Sequence, residues 1–220
     1  MGSLNGFLEH MDWFQLFLLL IGAVACLFCI TFHELAHGFA AYQLGDPTAK
    51  VNGRLTLNPI SHIDWIGLML LLTVRVGWAK PVPVDMRNFR NPKAGMAATA
   101  LAGPISNFLL ALVCICLGGF VLRDGMGRAW SAYVLLFLCQ LAVLNVGLGV
   151  FNLIPIPPLD GSKVLAVLLP DRLYGTWMHY ERYGMLVLLA LSFAGIGSGF
   201  IDAAINSVYS AMSILLGMPF

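Results

Sequence analysis

Long uncharged stretches alternate with short polar connections along the 220 residues. A helix needs roughly 20 residues with few charges to cross a hydrocarbon core of about 30 Å, so the gaps between charged residues map the spans. Five gaps reach that length: residues 13 to 33, 94 to 122, 129 to 159, 183 to 201 and 203 to 220. The first three read as spans. Between the last two, Gly195-Ile196-Gly197-Ser198-Gly199 reads either as a hairpin break or as a site of close helix packing, and we adopt the hairpin. A sixth apolar stretch, Trp65 to Val74, holds only ten residues between Asp64 and Arg75, which suits a re-entrant or interfacial segment. The pattern therefore predicts an all-α polytopic membrane protein of about five transmembrane helices plus this short segment.

Composition agrees. The chain is 59% hydrophobic and 10% charged, with mean hydropathy +0.84, whereas soluble domains are about 45–50% apolar and about 25% charged. A net charge of +1 excludes a basic nucleic-acid surface. The five cysteines (Cys26, Cys29, Cys114, Cys116, Cys139) are odd in number and sit in apolar stretches, so no disulfide framework is expected. The first stretch has neither a basic leader nor a small-residue cleavage site and is expected to stay in the mature protein. With no repeat, linker or long polar stretch, residues 1–220 read as one membrane domain.

The chemistry begins at His33-Glu34-Leu35-Ala36-His37, an H-E-x-x-H motif on an apolar helical pattern. Four residues make about one helical turn, so both imidazoles face one ion while Glu34 reaches a water beside it. With five His and three Glu in the chain, random order would give this pattern about 0.0015 times. A polar helix end with satisfied histidines would also have to bear the cost of placing these groups at membrane depth.

A catalytic zinc normally takes three protein ligands and leaves one position open. Asp160 is the best third candidate. It follows Asn152-Leu153-Ile154-Pro155-Ile156-Pro157-Pro158-Leu159, whose prolines break a helix and bring irregular backbone to a buried cavity. It also suits the N-cap of a helix from Gly161, and the two roles can coexist. His62, Asp64, His10 and His179 lie in loops or polar flanks. Span parity tests the assignment. If 65–74 does not cross, the end of the first span and Asp160 lie on the same face, and the three ligands can meet. That face carries Lys50, Arg54, Arg75, Lys80, Arg87, Arg90, Lys93, Lys163, Arg172 and Arg182, against Arg123 and Arg128 opposite. It is therefore expected to be cytoplasmic, with the N-terminus outside.

Together these residues resemble the site-2 proteases, the intramembrane zinc metalloproteases, and in particular a minimal subgroup without PDZ or nucleotide-sensing domains. His33 through His37 is similar to the family's metal and base motif, Ala102-Gly103-Pro104-Ile105-Ser106-Asn107 to its following-span motif, and Asn152 through Gly161 to its N-x-x-P-x-x-P-L-D-G motif. Gly45-Asp46-Pro47-Thr48-Ala49, Leu57-Asn58-Pro59, His62-Ile63-Asp64 and Gly77 through Val84 resemble stretches of the minimal subgroup. Trp65 departs from it, standing where those relatives usually have proline.

The resemblance implies one Zn²⁺ per chain facing the cytoplasm, held by His33, His37 and Asp160, with Glu34 as general base for hydrolysis of a peptide bond in or near a substrate transmembrane segment. It also points to Asn152 near the reacting carbonyl, where a side-chain amide donates to an oxyanion; interhelical hydrogen bonding is the other reading. Asn107 is open between substrate contact and interhelical bonding. Pro81, Val82, Pro83 and Val84 read either as the exposed edge of a small β-hairpin on which a substrate adds as a strand, or as an interfacial anchor. The expected partners are a transmembrane protein substrate and the lipid bilayer, with a separate regulator or a second copy left open. A metal-ion transporter or a non-catalytic scaffold is the competing class. Neither needs the general base within the motif.

Overall fold

The computed structural model describes residues 12–74, 77–125, 128, 130–194 and 198–215. Helix α1 (Trp13–Gln43) starts where the Asp12 carboxylate accepts the Phe14 and Gln15 N–H groups at 3.0 and 3.2 Å. At 31 residues it is about 46 Å long. The charge gap closes at Glu34, but the helix continues to Gln43, because nothing breaks it until Gly45, at φ +104°, and Pro47. The histidines consequently lie inside the helix.

A single turn, α2 (Thr48–Val51), and a 3₁₀ turn over Pro59–His62 lead to α3 (Trp65–Val74). Its ten residues span about 15 Å, half a hydrocarbon core. Asp64 receives the Ile66 and Gly67 N–H groups at 3.0 and 2.9 Å. Trp65 is thus the first helical residue, where an N–H needs no helical partner and proline is equally at home, and its side chain is 71% exposed. The expected β-hairpin is represented among the described residues by one isolated bridge, Ile63 to Ala79, beside a Lys80 N–H to His62 carbonyl bond of 2.9 Å.

Helices α4 (Pro92–Asp124) and α5 (Ser131–Asn152) complete the central unit. Small residues let the three long helices approach closely: Ala25 and Cys29 of α1, Cys114 with Ile115 of α4, and Ala142 with Leu141 of α5 form the buried core. Outward, Leu19, Leu20, Leu109, Val113 and Phe120 are exposed apolar side chains, as a bilayer requires. Among the described residues α1, α4 and α5 are long and apolar enough to cross a membrane. Short helix α6 (Asp160–Ala166) follows the proline loop, then come α7 (Asp171–Phe193) and α8 (Ser198–Leu215). The hairpin expected at Gly195 to Gly199 falls partly on 195–197, outside the described residues.

Candidate active site

His33 and His37 sit one turn apart on α1 and turn their rings toward α4, perpendicular to one another with centroids 4.5 Å apart. On α4, His37 Nδ1 donates to the Thr99 carbonyl at 2.7 Å, and His33 Nδ1 meets Asn107 Oδ1 at 3.1 Å. A carbonyl only accepts, so each Nδ1 carries a proton in these bonds, and each Nε2 is the ring atom turned inward. The two Nε2 atoms lie 3.0 Å apart. Gly103 makes the packing feasible: a Cβ there would come within 2.5 Å of His37 Cε1 and 2.6 Å of His33 Cε1.

Asp160 closes the cluster. After Asn152 the chain leaves the helical path through Pro155, Pro157 and Pro158, and re-enters helix at α6. Leu159 is the N-cap of α6, and Asp160, in the first turn, directs Oδ2 to 3.2 Å from His33 Nε2 and 3.1 Å from His37 Nε2. Gly161 lets this turn lie on the Leu153 and Ile154 carbonyls, where any Cβ would collide. The other carboxylate oxygen is 3.9 Å from Lys163 Nζ. His33, His37 and Asp160 are all buried, and they are a group of ligand-type side chains able to share one ion.

The remaining expected residues are placed as follows. Glu34, adjacent to His33, accepts the Val82 N–H at Oε2, 2.9 Å away, so the Pro81 to Val84 segment lies across the motif. Asn107 is fully buried, and its oxygen is engaged with His33. Asn152 ends α5, with Nδ2 donating to the Leu148 carbonyl of its own helix at 3.0 Å. Thr99 and Lys163 were missed in the sequence. A Thr carbonyl carries no sequence signal, but Lys163, one turn after Asp160, was open to notice.

The family model for peptidase family M50 matches residues 117–195, from the end of α4 through the Asp160 loop into α7. The chain is also 41% identical over 170 residues, 76% of its length and 78% of the relative's, to "Putative zinc metalloprotease YwhC" of Bacillus subtilis. The chain belongs to peptidase family M50, the site-2 proteases. Other relatives are "Putative zinc metalloprotease Rip2" of Mycolicibacterium smegmatis, 27% identical over 188 residues (84% of this chain, 70% of that one), and "Zinc metalloprotease MJ0392" of Methanocaldococcus jannaschii, 29% identical over 163 residues (74% and 36%). No solved structure matches the chain. This M50 member is an integral membrane zinc metalloprotease, a peptide hydrolase.

The residues present fit zinc. Two imidazole Nε2 atoms and a carboxylate oxygen face one another within 3.2 Å, and Asp160 Oδ2 is buried without a hydrogen-bond partner. Two neutral imidazole nitrogens and a carboxylate oxygen this close and this buried are satisfied together by one cation between them. Tetrahedral zinc with bonds of about 2.0–2.1 Å has ligand-to-ligand edges of about 3.3 Å, and the three observed edges are 3.0, 3.1 and 3.2 Å.

Proposed function

We propose that this M50 peptidase cleaves a peptide bond in or near a transmembrane segment of a protein substrate, at a centre formed by His33, His37, Asp160 and Glu34. The observation that carries the reading is the convergence of both Nε2 atoms and Asp160 Oδ2 within 3.2 Å. His33, His37 and Asp160 would hold the zinc, which when bound supplies Lewis-acid polarisation of a carbonyl and of water.

The remaining steps belong to the chain's own groups. Asn107 and the Thr99 carbonyl hold each imidazole in the tautomer that offers Nε2 inward. A Glu34 carboxylate oxygen takes the proton of the attacking water and passes it to the leaving amine nitrogen. Asn152 has a second amide hydrogen beyond its bond to Leu148 to offer the developing oxyanion. A substrate span unwinds to reach these groups, and it lies extended against Pro81 to Val84.

Residues 1–220 act as one domain, and the centre opens to the cytoplasm. The length of α3 supports that sidedness, because a segment of about 15 Å returns to the face it left, and that face carries most of the basic residues. The test is Glu34→Gln in the purified full chain, offered a transmembrane test substrate that wild type cleaves. Zinc retained with cleavage abolished supports the proposal. Cleavage that persists moves transport or scaffolding ahead of it.

A further inference from the structure

Val82 stands between two prolines, and that places its backbone N–H alone. Pro81 and Pro83 have no N–H, and a residue before proline is confined to extended backbone, so Lys80 and Val82 are both held extended. Over Pro81 to Pro83 the chain therefore has one donor. It is spent on Glu34 Oε2 at 2.9 Å, and among the described residues it is the one hydrogen bond that Glu34 receives.

Two fixings hold that donor in place. Lys80 N–H donates to the His62 carbonyl at 2.9 Å, and the Lys80 carbonyl accepts from Arg54 Nη2 at 2.7 Å. Arg54 is 8% exposed, with its Nε buried and unpartnered, and no carboxylate of the described residues pairs with it. A guanidinium kept in that setting for a single carbonyl bears a cost that surface packing does not require. Gly38, one turn beyond Glu34, lets the Val82 side chain lie close against α1, since a Cβ there would meet Val82 Cγ1 at 3.2 Å and Leu55 Cδ2 at 2.7 Å.

We infer that the Val82 backbone N–H, held by Arg54 through the Lys80 carbonyl, is a positioning group that orients the Glu34 carboxylate for proton transfer. The inference rests on Glu34 being the base. With Oε2 held from the Val82 side, the carboxylate is fixed in rotation and the other oxygen is left for the reacting water. Arg54 is then a positioning residue that acts two steps away from the chemistry. The flanking prolines serve the same end, because they deny the segment other donors that could take the place of Val82 after a shift in register.

The test uses the full chain in detergent or liposomes with a cleavable transmembrane test substrate. The Val82 amide is replaced by an ester, which removes the N–H and keeps every side chain, and Val82→Pro, Arg54→Met, Arg54→Lys and Glu34→Gln are made beside it. We expect the ester to lower kcat roughly 10- to 100-fold, the range for one lost hydrogen bond to a charged group. KM should stay within about twofold and zinc content should not change. Arg54→Met should lower kcat in the same way, and Arg54→Lys, which can still donate to the Lys80 carbonyl, should recover most of the loss. An ester variant with kcat near wild type overturns the inference. So does a raised kcat, which would mean that the contact holds the site shut, or a rise in KM alone, which would mean that the Val82 N–H serves substrate binding and not the orientation of Glu34. Loss of zinc would assign it to the fold. If Val82→Pro does not fold, the ester and the Arg54 pair decide. Cleavage by Glu34→Gln would instead break the base assignment, whereas an inactive Glu34→Gln beside a normal ester breaks this inference alone.

Discussion

Gly103 of α4 lies against His37 of α1 so closely that the imidazole occupies the space any side chain at 103 would need. The nearest atoms are Nε2 and Cε1 of His37, the inward edge of the ring, followed by Cε1 of His33. A methyl group here would press on the ligands themselves, and the neighbouring helices leave them little room to retreat.

Gly103→Ala should therefore insert into the membrane and keep its helices while losing zinc. We expect at least a tenfold weaker zinc affinity, read by competition with a chelator, with the far-ultraviolet spectrum unchanged. Wild-type affinity in this variant would show that the imidazoles sit elsewhere.

Asn107 acts one step further back. Its Oδ1 lies 3.1 Å from His33 Nδ1 in a fully buried position, and removing such a partner of a metal-binding histidine typically costs 10- to 100-fold in affinity or activity. Asn107→Ala should fall in about that range for zinc, measured by the same competition. A variant with normal zinc affinity and a raised KM would return Asn107 to substrate contact.

Much of this was legible in the sequence, for identifiable reasons. The gaps between charges located α1, α4 and α5, because a charge at bilayer depth is costly whatever the fold. The ten-residue gap from Trp65 to Val74 became a helix with those same bounds. Helix ends followed a different rule: α1 runs past Glu34 to Gln43, since a carboxylate does not stop a helix and Gly45 with Pro47 does. His33, His37 and Asp160 could be paired in advance because spacing and span parity constrain them. The roles of Gly103, Thr99 and the Val82 N–H could not. They depend on how close two helices or a helix and a loop approach, and on backbone groups that every residue has.

Asp46 ties down the loop that carries Val82. It is completely buried, its Oδ2 accepts the Asp85 N–H at 2.7 Å, and its Oδ1 accepts from Asn88 Nδ2 at 2.7 Å and from the Thr48 N–H at 3.0 Å. Burial alone would raise its pKa, but the hydrogen bonds from Thr48, Asn88 and the Asp85 amide outweigh it and hold the pKa below the ordinary value of 3.8. A lowered carboxylate pKa contributes stability above that ordinary value and loses it as pH falls through the folded one. Asp46→Asn should be destabilised by about 1–3 kcal/mol at neutral pH. Its difference from wild type should shrink on acidification below pH 3.8. Protease sensitivity of residues 77–93 reads both effects, and a difference that grows in acid would contradict the sign.

Metal removal should loosen the fold as well as stop the reaction. Zinc held only by the folded cluster of His33, His37 and Asp160 stabilises the fold by mass action, so the chelated protein should unfold at a lower temperature and recover when zinc is restored. The shift should be absent in Asp160→Ala. A chelator that leaves wild-type unfolding unchanged would mean that the cluster does not bear the metal.

The most direct test of the centre is X-ray absorption at the zinc edge on the purified full chain. We expect one zinc per chain with nitrogen and oxygen neighbours only, at about 2.0–2.1 Å, the imidazole pattern of two histidines included. Sulfur at about 2.3 Å would place the ion on the cysteines of the spans instead, and would contradict the assignment of His33, His37 and Asp160.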